Sequence, residues 1–158
     1  MFNIGDKVVY PMHGAGIIES IEEKEILGKK RKYYILLLPL RNMKVMIPLD
    51  NVNSMGLREI ISEREVEQVL AVLNDDRSKM PQNWNRRYRA NMDKIKSGDI
   101  YEVAGVVRNL MLRDKEKGLS TGERKMLNNA KQILVSELVL VNNSDEITVE
   151  DLINQSVQ

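Results

Sequence analysis

The chain is 158 residues long, with 42% hydrophobic and 30% charged residues, enough apolar content for a buried core and too much for compositional disorder. Its 24 Lys and Arg against 23 Asp and Glu leave a formal charge of +1, which excludes a uniformly basic nucleic-acid coat and a strongly acidic solvating chain. It has no cysteine and one histidine, which excludes disulfides, thiol nucleophiles, thiolate metal sites and any site that needs two histidines.

Residues 1–7 show no basic segment followed by an apolar one, so no leader peptide is read there. The longest apolar run, residues 33–38, is strand-sized and far short of the roughly 18 residues that cross a bilayer. A soluble cytoplasmic protein with no membrane partner is expected.

The first third reads as β. Short β-branched or aromatic runs at residues 7–10, 16–21, 33–38 and 43–49 are separated by turn residues at 11–14, 27–30 and 39–42. Gly28 falls where a hairpin needs positive φ. Strands this short with such connections suit a small antiparallel barrel over residues 1–57, a size that is marginal alone and leans on the rest of the chain.

From Ser62 the apolar period becomes helical. Ser62 and Glu65 form a capping box ahead of Val66, Val69, Leu70 and Leu73. A second helix is expected over residues 83–96, stopped by Gly98, and a third from Asp99, with Glu102 three residues on, to Gly118. The third buries Ile100, Val103, Val107, Leu110 and Met111. Ser120 and Glu123 open a fourth, which buries Met126, Leu127, Ala130, Ile133, Leu134 and Leu138. A short fifth is expected from Thr148, using Val149, Leu152 and Ile153. The expected fold is therefore α+β in two parts, an antiparallel barrel over 1–57 and an all-α bundle of four to five helices over 58–158.

Charge is segregated along this frame. Residues 1–57 carry 8 basic and 6 acidic side chains, residues 58–79 carry 4 and 6, residues 80–131 carry 12 and 6, and residues 132–158 carry none and 5. A basic block followed by an acidic stretch directs the search for a partner to residues 80–131.

Enzyme signatures are missing, so no catalysis, cofactor, metal or small-molecule substrate is expected. Gly14-Ala15-Gly16 lacks the rest of a phosphate-binding glycine motif and reads as a turn, as does the neighbouring His13. The basic run at residues 29–32 reads as a hairpin turn kept soluble by charge. The segment Pro81-Gln82-Asn83-Trp84-Asn85-Arg86-Arg87-Tyr88-Arg89 holds the only Trp and three arginines at a helix start. Helix N-termini suit phosphate, arginine offers bidentate geometry, and an aromatic ring stacks on or wedges between bases. Trp84 also shares a helical face with Tyr88, Met92 and Ile95, so spacing alone allows it to be a core residue. Arg124 and Lys125 sit against the dipole at the start of the fourth helix, a placement that an anionic partner would relieve.

Several stretches together resemble the CarD/CdnL family of bacterial RNA polymerase-binding transcription regulators. They are residues 5–11, His13-Gly14 and Gly16, Trp84 with Arg86-Arg87-Tyr88 and Asn91, and residues 118–134. The resemblance spans residues 1 to about 141. It implies that residues 1–57 form a Tudor-like polymerase-interaction domain that docks on the polymerase β subunit largely by its edge strand, with Lys24, Lys44 and Met46 at the contact. Met46 stands where some members carry arginine, so an ion pair is lost there and a more apolar or weaker contact is expected. The resemblance also places Trp84 in the minor groove at the upstream edge of the promoter bubble. It assigns DNA-backbone contacts to Arg86, Arg87 and Arg89, and Arg124 and Lys125 join them as candidate DNA contacts on their placement against the helix dipole. Stabilisation of the open complex without base-specific readout is the implied function. The alternative is a polymerase-binding adaptor whose helical part recruits another protein, with Trp84 structural.

Overall fold

The computed structural model describes residues 1–157. Five strands come first: β1 (Lys7–Tyr10), β2 (Gly14–Ile26), β3 (Lys29–Leu38), β4 (Met43–Pro48) and β5 (Arg58–Glu59). Five helices come after them: α1 (Glu63–Asn74), α2 (Trp84–Lys96), α3 (Ile100–Lys117), α4 (Thr121–Asn142) and α5 (Glu146–Ser156). The strands form one antiparallel sheet of order β4-β3-β2-β1-β5. The expected α+β make-up is found, a small antiparallel β module followed by an all-α bundle, with β4 and β5 at the two ends of the hydrogen-bonded order.

β2 and β3 run beyond the apolar stretches that announce them. Past Tyr33 the ribbon continues through charged residues, Glu23 facing Lys32 and Glu25 facing Lys30 on one side and Lys24 facing Arg31 on the other. A two-residue turn, Leu27 and Gly28, closes it with φ of +52° and +77°. The basic run 29–32 therefore lies in a strand and not in the turn, because cross-strand pairing partners are invisible to a reading of local hydrophobicity. On the inner face Tyr34, Leu36 and Leu38 pack with Val8, Ile18 and Ile47. Each such side chain contributes about 1.5–3 kcal/mol, and with so few of them the sheet depends on the helices.

The helices begin where their caps indicate. The Ser62 N–H donates to Glu65 Oε1 at 3.4 Å, Asp99 Oδ1 accepts from the Tyr101 N–H at 2.9 Å, and Ser120 Oγ accepts from the Glu123 N–H at 3.2 Å. α5 starts at Glu146, two residues before the expected Thr148, because Asp145 is the cap and accepts from the Thr148 N–H at 2.7 Å. The predicted apolar faces of α1, α3 and α4 share one core with Val149 and Ile153 of α5. Residues 132–157 are thus no tail, since they complete α4 and then fold α5 back onto α4 and α1. Among the described residues no helix is long and apolar enough to cross a membrane.

Sheet and bundle meet along β2 and α4. Gly14, at φ +103°, lies so close to α4 that a Cβ would stand 2.8 Å from Ser136 Oγ, and that same oxygen accepts the Ala15 N–H at 2.8 Å. Glu137, only 2% exposed, receives a bidentate pair from Arg58 of β5, both bonds 2.8 Å, and the Ile61 N–H at 2.8 Å. Arg58 Nε donates to the Gly98 carbonyl at 2.8 Å. These bonds tie the end of the sheet to the α2–α3 loop and to α4. His13 is a turn residue here: its N–H donates to the Tyr10 carbonyl at 2.9 Å and its ring stacks on Tyr10.

Candidate nucleic-acid interface

α2 starts at Trp84, with Asn83 as its cap accepting the Arg86 N–H at 3.1 Å. Pro81 sits just upstream, and the asparagine cap fixes where the first turn begins. That turn carries no acidic residue. Arginine there opposes the helix dipole, and the acid that answers it comes from another helix.

Trp84 is 41% exposed, yet it is held on two sides. Its Nε1–H donates to Ser120 Oγ at 2.9 Å, and its ring stacks on Tyr88 with centroids 5.0 Å apart and planes 20° off parallel. Gly122 lets the ring lie against α4: a Cβ there would be 3.3 Å from the indole. Tyr88 and Met92, its partners on the α2 face, pack onto the helical core, so the stripe read from the sequence is real but its first member stands proud of the core. Trp84, Asn85, Tyr88, Arg89, Met92 and Lys96 border a shallow groove along α2.

Of the three arginines, the structure presents Arg86 and Arg89 to solvent and withdraws Arg87. Arg87 is 3% exposed; its Nε donates to Glu123 Oε2 at 2.7 Å, its Nη2 to Glu123 Oε1 at 3.2 Å, and its Nη1 to the Gln82 carbonyl at 2.9 Å. The expectation of a DNA-backbone contact at Arg87 is therefore corrected. Its guanidinium is used up inside the protein, binding the start of α2 to the start of α4, and it braces the Trp84 platform. Arg124 is exposed but bidentate with Asp114, at 2.8 and 3.3 Å, and Lys125 is exposed beside it. An exposed pair of this kind is worth little and yields readily to a stronger anion.

Sequence reasoning missed Ser120, Gly122 and Glu123 as parts of this platform. Ser120 and Glu123 were legible only as a cap, and their second role depends on α2 crossing above them. Glu123 is buried, which would raise its pKa, but the bond from Arg87, with Ser120 and the Arg87 and Arg113 charges, holds the carboxyl below its ordinary value. A depressed folded pKa adds stability that is complete above the ordinary carboxylate range and is lost as pH falls through the depressed value. Emission from the lone Trp84 should accordingly stay constant across neutral pH and red-shift only in acid, and that step should vanish in Glu123→Gln.

The second group of candidates lies on the sheet. Lys44 pairs with Leu37, Met46 with Ile35 and Lys24 with Arg31, and these β3 partners lie an even number of residues apart, so the three residues share the outer face. Met46 is 43% exposed, Lys44 bonds Glu19 at 2.8 Å and Lys24 bonds Glu22 at 3.2 Å. β4, which carries two of the three, is an edge strand that pairs with β3 alone among the described residues.

Residues 2–61 match the CarD-like/TRCF RID domain, and residues 68–154 match the CarD C-terminal domain. The first match covers the whole sheet and the second runs from α1 into α5, so both halves point to a single class of two-domain transcription regulator. The chain belongs to the CarD family. It is 46% identical over 141 residues to a Bacillus subtilis (strain 168) protein named "Putative transcription factor YdeB", covering 89% of this chain and 92% of that one. It is also similar to the solution NMR structure of the 72-residue N-terminal domain of Myxococcus xanthus CarD, at 30% identity and a TM-score of 0.33, over 37% of this chain and 79% of the other.

Proposed function

We propose that this protein binds the β subunit of bacterial RNA polymerase through its sheet and stabilises the promoter open complex through its helical part, without reading base sequence. The free edge of β4 supplies main-chain hydrogen bonds for strand addition, with Lys24, Lys44 and Met46 on the adjoining face. Trp84 wedges into the minor groove at the upstream edge of the bubble, and Arg86 and Arg89, with Arg124 and Lys125, meet the DNA backbone. The protein works in the cytoplasm and reaches the nucleoid through polymerase, and it needs neither cofactor nor catalysis.

One observation carries this reading: Trp84 is exposed and at the same time fixed, by Ser120 and by Tyr88. A large ring packed on one side and open to solvent on the other is pre-organised, so its ordering entropy is already spent before any base is stacked on it. Polymerase and its specificity factor choose the promoter; only a higher affinity for melted than for closed DNA can shift the balance between them.

The test follows promoter melting with a fluorescent base at the upstream bubble edge, using cognate holoenzyme with and without this protein. A larger melted fraction that decays more slowly is expected with the protein present. A melted fraction unchanged by saturating protein would refute the reading. A photocrosslinker at position 84 separates the alternative: DNA is the expected adduct, whereas adducts only to protein would make the helical part an adaptor.

A further inference from the structure

Beside the Trp84 platform lies a second basic feature that the proposed function leaves unused. The α1–α2 loop and the last turn of α3 enclose a pocket of about 330 Å³ lined by Arg77, Ser78, Lys79, Arg113 and Lys117, with Glu116 as its one acid. The Arg113 Nε is buried without a hydrogen-bond partner among the described residues. The Arg113 charge lies near Glu116 and Glu123, but Arg77 already pairs with the first and Arg87 with the second.

Ser78, which lines the pocket, is itself bonded to a further cation outside the lining. Arg108, 7% exposed, donates to the Val72 carbonyl at 2.9 Å, to Asn109 Oδ1 at 3.1 Å and to Ser78 Oγ at 3.3 Å, and none of these acceptors is ionised. Asn109 Nδ2 donates to the same Ser78 oxygen at 2.7 Å. A hydroxyl has two lone pairs and one proton. With both lone pairs taken by donors, Ser78 has only its O–H left to give, on a residue that lines the pocket. The basic lining, the Ser78 hydroxyl that can only donate and the Arg113 guanidinium, whose Nε–H has no internal partner, together favour an anion with several acceptor oxygens.

We propose that this pocket binds a phosphate group, and that in the promoter complex the phosphate belongs to the DNA strand flanking Trp84. The assignment to DNA rests on the function proposed above. Two chain segments support it: Gln82, at the pocket rim, is two residues before Trp84, and Lys117 is three residues before Ser120. Two residues span at most about 7 Å, which corresponds to roughly two nucleotides along a strand at 3.4 Å each. The pocket therefore sits within reach of the backbone next to a base step held at Trp84.

The experiment has two arms on the full chain. In the first, the ¹⁵N resonance of the Arg113 Nε–H is followed as inorganic phosphate is added; a saturable shift is expected, absent in Ser78→Ala. In the second, the protein concentration that half-saturates promoter melting is measured against salt for the native chain and for Lys79→Gln/Lys117→Gln, two exposed positions whose replacement leaves the core intact. Loss of one phosphate contact should flatten the log–log slope by about 0.9, or roughly 3.5-fold less weakening between 50 and 200 mM salt. A shift with phosphate and an unaltered slope would overturn the DNA assignment and leave a site for a free phosphate compound. No shift and an unaltered slope would overturn the pocket altogether, even where the native protein still promotes melting. A native protein that shifts with phosphate but has no effect on melting would sink the function proposed above while leaving the pocket standing.

Discussion

Replacing Trp84 with alanine is expected to abolish the stabilisation of melted promoter DNA while leaving polymerase binding by the sheet unchanged. Stacking of a base on an aromatic ring is worth about 1–3 kcal/mol, so the ratio of open to closed complexes should fall roughly 5- to 150-fold. Fold stability should fall by about 1–3 kcal/mol and leave the protein folded, because the residue gives up an exposed hydrogen bond to Ser120, its stack on Tyr88 and its contact at Gly122 while the core beneath stays in place. Trp84→Phe keeps a flat ring and loses the Nε1–H, so it should lie between native and alanine. Ser120→Ala should weaken the effect without removing it, since the ring stays but is less firmly held. Fluorescent-base melting read alongside polymerase affinity for the same variants checks this. Equal loss of polymerase binding and of melting in Trp84→Ala would overturn the division of labour between the two halves.

The second large effect is expected at the junction of sheet and bundle. Glu137→Ala leaves the Arg58 guanidinium and the Ile61 N–H facing an apolar gap, where Glu137 now meets both. Removing one member of a buried ion pair costs about 3–5 kcal/mol; Arg58 is 30% exposed and recovers some hydration, so about 2–4 kcal/mol is expected. Replacing both partners with apolar residues of similar size, Arg58→Met with Glu137→Leu, should be markedly milder, because no polar group is then stranded. Urea unfolding gives the stabilities, and amide exchange at Ile61 and Ala15 reports whether the junction has loosened ahead of the two cores. The functional consequence is geometric: the junction sets the angle between the free edge of β4 and the exposed face of Trp84. A loosened junction should reduce promoter melting even where each half is still folded. A Glu137→Ala protein with native stability and native exchange at Ile61 would show that the pair carries no structural weight.

Much of the fold could be read from short-range patterns. The capping residues Ser62, Asp99 and Ser120 and the apolar faces of α1, α3 and α4 are relations between residues two to four positions apart, and the structure contains them all. The extension of the β2–β3 ribbon is outside such patterns, because its charged residues pair across strands, and α5 starts earlier than its apolar residues indicate because Asp145 caps it.

For the candidate site the same boundary applies. By itself the sequence determined that a lone Trp and a cluster of arginines stand at a helix start inside the most basic block of the chain, and that the chain resembles a family of transcription regulators. Only the tertiary structure decided which arginine faces outward. Arg86, Arg87 and Arg89 are equivalent as letters, but Arg87 meets Glu123, 36 residues away, and is buried by it. Likewise Glu137 counts as one more acid in the stretch 132–158 until Arg58, 79 residues distant, folds against it. Local periodicity arises from backbone geometry, which repeats every two or 3.6 residues. The role of a charged side chain is set by whichever partner the fold delivers to it, and that partner has no fixed separation in sequence.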